Sequence, residues 1–316
     1  MRNFLLIPAA FLVLLSCAKD NGQEGGGGMA EPSVQSVSLS KSMMMLGTGV
    51  TSRLSAQSTP EVSSAFEWVS DDPSIASVSQ DGLVTAIGTG ETRIRAKLQG
   101  KEAYCIVSVC PSPQAVDLGV AGIKWATFNI GALEPSQNGL VFTWASTLPK
   151  SLNPKPATPY LTYVEIDGSS KLRVTKYCQK AQYGLDGFTD NLVTLQAEDD
   201  PATQILGAGW RTPTKNEFNQ LVEQCQWSWD SGRNCFKIAN RKNSANYIYL
   251  PVTGHPDRPS EQPRGYYWSS SLQESDPTGA YYFEIGHVNP DVNYDLHTVS
   301  TAIRYATYYL RAVKSN

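Results

Sequence analysis

The amino-acid sequence predicts two domains in tandem, an all-β sandwich followed by a larger α+β domain. Three observations carry this prediction. Seven short β-rich runs separated by turn residues fill residues 34–109, at the roughly ten-residue spacing of a sandwich. Pro111-Ser112-Pro113 then breaks the pattern, because closely spaced prolines disfavour both helix and central strand. Beyond them, two locally capped helical segments stand among further strand patterns. The length of 316 residues suits about two domains, each large enough to bury a core. With 41% hydrophobic and 17% charged residues, the composition excludes a fibrous or fully disordered chain.

The chain opens on Arg2 and an apolar run over residues 4–15. That run is too short for a membrane-spanning helix, which needs about 20 residues, but it suits the core of a signal peptide. It ends in Leu14-Leu15-Ser16-Cys17, which resembles the bacterial lipobox. The resemblance implies a signal peptide over residues 1–16 and a diacylglyceryl-modified Cys17. Leu15 is bulkier than the residue usual there. Residues 17–32, with Gly25-Gly26-Gly27-Gly28, hold almost nothing apolar and read as a lipidated flexible tether. The expected location is the outer membrane, facing the cell surface or the periplasm.

In the first domain the expected strands cover residues 34–39, 53–56, 66–69, 75–78, 83–86, 92–98 and 103–109. Asp71-Asp72-Pro73, Asp81-Gly82 and Gly88-Thr89-Gly90 supply the turns. The stretch from Trp68-Val69-Ser70-Asp71-Asp72-Pro73 through Ile75, Val78 and Asp81-Gly82-Leu83-Val84 resembles a bacterial Ig-like domain of group 2. That family implies a spacer or adhesive module over residues 33–110, with Trp68, Ile75, Val78 and Val84 in its core and no chemistry.

After a linker at residues 111–114, Asp200-Pro201 offers a helix N-cap followed by proline at the first turn, with Gly207 as a stop. Thr214-Lys215-Asn216-Glu217 is a capping box leading into Phe218, Leu221, Val222 and Cys225 at helical spacing. That helix should end before Trp227. Strands are expected at residues 123–128, 236–238, 247–251, 266–270, 280–285, 292–296 and 308–313. Several motifs of this segment form a set: Lys124-Trp125-Ala126-Thr127-Phe128-Asn129, Gly209-Trp210-Arg211-Thr212-Pro213, Tyr267-Trp268-Ser269-Ser270-Ser271 and Leu310-Arg311-Ala312-Val313. Together they resemble the major paralogous domain of Fibrobacter-type and Bacteroidetes surface lipoproteins. That family is related in fold to C-type lectin-like and formylglycine-generating-enzyme domains. The resemblance implies a C-type lectin-like α+β domain over residues 115–316, behind an Ig-like spacer.

Function classes narrow by exclusion. A net charge of −3 gives no electrostatic case for nucleic acid. Three histidines in no defensible Ser-His-Asp order, and no carboxylate pair in a recognisable motif, argue against an enzyme. The oxidase chemistry of formylglycine-generating enzymes needs a late cysteine pair, and no cysteine follows Cys235. Neither the calcium-dependent sugar loop of C-type lectins nor a zinc spacing is present. Asp291-Val292-Asn293-Tyr294-Asp295 imitates the start of a calcium loop but lacks the glycine and glutamate that should follow. No cofactor or metal is expected.

Five cysteines follow Cys17, so at least one thiol is unpaired. Cys225 and Cys235 flank a short segment that a disulfide would close. Cys225 also falls on the core face of the helical pattern, as a small buried hydrophobe would. What remains for binding is aromatic. Adjacent residues on a strand face opposite sides, so one of Tyr266 and Tyr267, and one of Tyr281 and Tyr282, should point outward. The polar stretches 148–160, 255–265 and 272–279 suit binding loops. His255-Pro256-Asp257-Arg258 brings donors and acceptors for sugar hydroxyls beside Tyr266 or Tyr267. The expected ligand-binding set is therefore His255, Asp257, Arg258, Tyr266 and Tyr267. Its expected partner is a glycan or a surface protein; the second expectation is a structural or fimbria-associated assembly component, and the remotest an enzyme of unknown chemistry. Because Cys17 is the only acylation point, Cys17→Ala should release the protein from the membrane fraction or leave it unprocessed. Unchanged detergent partitioning of that variant would remove the anchor.

Overall fold

Alternation of apolar and polar residues builds the first domain. The computed structural model describes residues 32–120, 122–152, 158–252, 254, 255, 264–289 and 294–315. Cys17 and the tether, Asp257, Arg258 and residues 291–293 lie outside the described residues. Nine strands come first: β1 (Ser36–Leu39), β2 (Met43–Gly47), β3 (Thr51–Arg53), β4 (Ala56–Thr59), β5 (Glu67–Ser70), β6 (Ala76–Val78), β7 (Leu83–Ala86), β8 (Gly90–Leu98) and β9 (Lys101–Cys110). They form sheets in the orders β2-β9-β8-β5 and β3-β7-β6, with β1 paired to β4.

In β8, Thr92, Ile94, Ala96 and Leu98 point into the core while Glu91, Arg93 and Lys97 do not. Gln99-Gly100, both at positive φ (48° and 76°), turn the chain tightly into β9. Trp68, Leu54, Val84, Ile94 and Val107 close the sandwich. The expected core position Val84 is fully buried, and Ile75 and Val78 pack at its margin.

The sequence reading missed β2. Its Met43-Met44-Met45-Leu46-Gly47 run does not alternate because both of its faces are covered. Met44 and Leu46 enter the sandwich core. Met45 instead joins Cys110 of β9 in an apolar cluster that belongs mainly to the second domain.

That second part contains β10 (Ala115–Val116), β11 (Ile123–Ala126), β12 (Val141–Phe142), β13 (Leu161–Ile166), β14 (Ser169–Val174), α1 (Pro201–Leu206), β15 (Trp210–Arg211) and α2 (Lys215–Gln224). They are followed by β16 (Cys225–Asp230), β17 (Cys235–Asn240), β18 (Tyr247–Pro251), β19 (Arg264–Leu272), β20 (Gly279–Asn289), β21 (Tyr294–Ile303), β22 (Tyr308–Tyr309) and β23 (Val313–Ser315). Both helices start where their caps predict. Asp200 accepts from the Ala202 N–H, and Gly207 caps the end of α1. At α2, Thr214 and Glu217 form a reciprocal capping box, and Arg211 forks onto the Glu217 carboxylate.

Three sheets follow the orders β10-β11-β23-β15, β12-β22-β19-β20-β21 and β16-β17-β18, and β13-β14 form a separate hairpin. The five-stranded sheet divides the interior. Tyr266, Trp268, Ala280, Tyr282 and Tyr308 face one apolar cluster, under α1. Tyr267, Phe283, Ile285 and Tyr309 face another, where Phe218 of α2 stacks on Phe283 with ring centroids 4.7 Å apart. The helices are short, so the chain is mostly β.

Cys225 and Cys235 are both buried free thiols, which corrects the disulfide reading. In the β16-β17 hairpin Cys225 pairs with Asn240, whereas Cys235 pairs with Asp230. The two cysteines stand at opposite ends of the ladder, well beyond the ~7 Å Cα separation a disulfide tolerates. Cys225 is the buried small hydrophobe of the alternative reading.

The linker between the domains is fastened. Ser112 donates its hydroxyl to the Thr48 carbonyl at 2.8 Å and its N–H to the Thr48 hydroxyl oxygen at 3.2 Å. A Cβ on Gly47 would stand 3.1 Å from Leu206 Cδ2 and 3.4 Å from the Ile205 carbonyl. The same Cβ would run into the Ser112 hydroxyl, so glycine here leaves room for the linker as well as for the end of α1. Residues 115–316 expressed alone should therefore melt lower than the same segment within residues 33–316, because the Ile205 and Leu206 side chains lose part of their cover. Equal melting temperatures by calorimetry would show that the shared packing adds nothing.

Candidate functional site

The structure brings only part of the expected binding set together. His255, 9% exposed, has its ring 5.0 Å from Tyr266 and 5.7 Å from Tyr308. Tyr266 stacks on Tyr308 at 5.4 Å, and Tyr282 lies 4.7 Å from Tyr308. Arg264 pairs with Glu284 at the margin of this cluster. The expected exposure is corrected, however. Tyr266 is 6% exposed and Tyr267 not at all. They do face opposite sides of β19, but each side carries its own apolar cluster, so neither side is solvent. Tyr267 donates its hydroxyl to the Pro251 carbonyl at 2.7 Å, and burial pushes its ionisation well up. Tyr281 and Tyr282 are both half-buried, and the Lys215 ammonium lies 4.1 Å above the Tyr281 ring.

A second polar group gathers at the base of the β13-β14 hairpin. Asp199 accepts from the hydroxyls of Tyr160 and Tyr177, each at 2.5 Å, and from Lys176 at 2.6 Å. Burial disfavours the Asp199 charge, yet Lys176 and the two hydroxyls outweigh it and hold its carboxyl below the usual range. Burial and the neighbouring carboxylate push the Tyr160 hydroxyl up to about 12. Both tyrosines sit at φ 62°, an uncommon conformation for a bulky residue, on the two strands' approaches to the hairpin. Arg304, fully buried, donates to the carbonyls of Lys176 and Tyr177. Apart from the Arg304 Nε, which meets no acceptor among the described residues, the donors are spent within the group, so the arrangement acts as a clamp holding the hairpin.

A third cluster closes the open end between β16 and β21, and two of the three histidines lie in it. Trp229 stacks on His287 at 4.8 Å with ring planes 9° apart, and Trp227 lies 4.1 Å from His297. His287 Nδ1 and Asp295 Oδ1 are 2.7 Å apart. An open groove of about 500 Å³ beside them is lined by Val222, Cys225, Gln226, Trp227, Arg241 and His297.

A solvent-facing pair of tyrosines lies elsewhere, on the outer face of β16-β17-β18, while Tyr104, Tyr163 and Tyr305 are exposed singly. Tyr247, 39% exposed, and half-buried Tyr249 point the same way, with rings 5.5 Å apart in an edge-on arrangement. Lys237 lies 4.2 Å over Tyr247, and Arg233 lies 5.0 Å over Tyr249. Ser228 and Lys237 share a cross-strand row with Tyr249. The sequence reading placed this strand but missed its face. The signal was Tyr247-Ile248-Tyr249-Leu250, where strict alternation sends the tyrosines out as the aliphatic residues go in. Among the described residues, no group of three or more His, Cys, Asp or Glu side chains could hold a metal ion.

Residues 33–107 match the family model of the bacterial Ig-like domain (group 2). Among solved structures, domains 4 and 5 of the S-layer protein SbsC align with 19% identity over 24% of this chain and 51% of that one, at a TM-score of 0.21. Domains 5–6 of the same protein align with 12% identity over 44% of this chain and 82% of that one, at 0.23. The chain thus spans about half the length of the first of these structures. No curated protein matches it.

Burial lowers the pKa of His297 from its ordinary 6.5. Below about pH 6.5 the unfolded chain takes up a proton that the folded ring resists, so this contribution to stability is full above that pH and is lost as the pH falls. The wild type should therefore lose more melting temperature than His297→Gln between about pH 7 and about pH 5. Parallel pH profiles for the two proteins would show that the ring carries none of it.

Proposed function

Since residues 33–107 are a bacterial Ig-like domain of group 2, we propose that the chain is a surface-displayed lipoprotein in which that domain presents a lectin-like domain to a glycan. Three features support the reading. The Leu14-Leu15-Ser16-Cys17 sequence supplies an acylation point, followed by a glycine-rich tether of the kind that lets an anchored domain stand clear of a membrane. The residues that carry the lectin-like resemblance occupy the framework of the second domain. Trp125, Tyr267, Trp268 and Arg311 are fully buried or nearly so, and Arg211 anchors the capping box of α2. They describe a scaffold and leave binding to other residues.

The observation that carries the binding assignment is the Tyr247–Tyr249 face. Two tyrosines on one open sheet face offer stacking area to sugar rings at low entropy cost. Lys237 beside them favours a sugar that bears a carboxylate or sulfate, whereas Arg233 is already paired with Asp230. The buried Tyr266 side chain serves the core here, and His255 serves as its packing partner.

A glycan array probed with the purified full chain should give a saturable signal, strongest for acidic sugars. Tyr249→Ala and Lys237→Ala should each weaken it about tenfold with the melting transition intact. An array without signal, or full binding by both variants, would overturn the assignment.

A further inference from the structure

We propose that the groove between the end of α2 and β21 is a binding site for a small carboxylate that carries a flat apolar ring. This is independent of the glycan reading and uses a different surface. At about 500 Å³ the groove has room for such a molecule, since small-ligand pockets begin at about 300 Å³. Val222 comes from the last turn of α2, Cys225, Gln226 and Trp227 from the start of β16, Arg241 from the turn after β17, and His297 from β21. Gln226 and Arg241 are exposed and stand at the rim, whereas Val222, Cys225 and Trp227 give an apolar wall.

That wall is held in place before any ligand arrives. Trp227 donates its Nε1 to the Leu221 carbonyl at 3.1 Å, and its ring meets Phe236 and Phe283 edge-on, with centroids 5.7 and 6.1 Å away. The half-buried indole keeps part of its surface open, and a ring packed there costs no rearrangement of the protein.

Charge selects the ligand. Arg53, Arg95, Arg211, Arg233 and Arg264 are each paired with a carboxylate. Arg241 meets no acidic side chain among the described residues, and its Nε donates to the Cys225 carbonyl at 3.2 Å. That bond fixes the guanidinium beside the groove and leaves both terminal nitrogens for a two-pronged grip on a carboxylate. The wall in turn disfavours a sugar. The Trp227 N–H is already spent, and the Cys225 thiol is turned to the Leu118 carbonyl at 3.4 Å, so a ring of hydroxyls would go unmet. His297 Nε2, buried and without a hydrogen-bond partner among the described residues, can accept a single N–H carried by the ligand ring when the imidazole is protonated at Nδ1.

Indole-3-acetate has this chemistry. Titrated into the purified full chain in a calorimeter, it should bind saturably with a Kd of about 1 mM or tighter. Indole, which lacks the carboxylate, and glucuronate, which lacks the flat ring, should each bind at least about tenfold more weakly. N-acetyltryptophan imitates the end of a peptide chain, and its rank against indole-3-acetate separates that source from a free small acid. Arg241→Gln, which removes the fork, and Val222→Trp, which fills the groove, should each weaken binding at least about tenfold with the melting transition intact. If one variant fails to fold, the other reads the site. No saturable binding at about 10 mM, glucuronate or indole binding as well as indole-3-acetate, or full binding by the folded variants overturns the proposal.

Discussion

The central sheet is buried on both faces, and the rest of the second domain follows from that. Every residue of β19 from Gly265 to Leu272 is buried, as are Ala280, Phe283 and Ile285 of β20. Such a strand cannot alternate between core and solvent, so it alternates between two cores. Aromatic rings fill both, and several of their polar atoms find a partner inside, although the Trp125 Nε1 finds none among the described residues. Trp268 donates to the Phe142 carbonyl and Trp144 to the Ser269 carbonyl, each at 2.9 Å, while Tyr267 reaches Pro251. These bonds tie the covering segments to the sheet and set where the loops leave it.

Two buried guanidinium groups extend the same logic. Arg311 is fully enclosed and meets oxygens from three segments: Asn129 Oδ1 and the Ala126 carbonyl at 2.8 Å, and the Tyr249 carbonyl at 2.7 Å. Arg304 does likewise for the Lys176 and Tyr177 carbonyls, beneath the Trp144 ring at 4.8 Å. Burial pushes both pKa values down to about 10, so both groups keep their charge at neutral pH. Each donor fork satisfies carbonyls that would otherwise be stranded, which is how irregular loops can run through the interior.

The junction between the domains obeys a simpler constraint of close approach. β2 lies parallel to β9 and offers one face to each domain, while Gly47 leaves room for the end of α1. The Ig-like domain therefore meets its neighbour through side chains as well as through the chain between them. A spacer packed in this way passes orientation on to what it carries, whereas a free linker would lose it.

Local signals were legible in the sequence and fixed much of the framework. Asp200 and Thr214 start their helices because a side-chain oxygen within three residues satisfies an orphan N–H, and Gly207 ends one because it tolerates φ 84°. β7 and β18 were placed to the residue, and most sandwich strands near their observed bounds, because one covered face leaves a period of two, although the strand expected at residues 53–56 straddles the break between β3 and β4. Whether a strand has a second cover is decided by residues far away in the sequence. That is why β2 escaped notice, why Tyr266 and Tyr267 are buried where one was expected to face water, and why Cys225 and Cys235 lie too far apart to join. The same non-local fact left Tyr247 exposed and Tyr249 half-buried on an outer face. The sequence by itself determined caps, turns and alternation, which act over a few residues. Only the tertiary structure decided which faces and edges stay exposed, because exposure depends on what the rest of the chain has already covered.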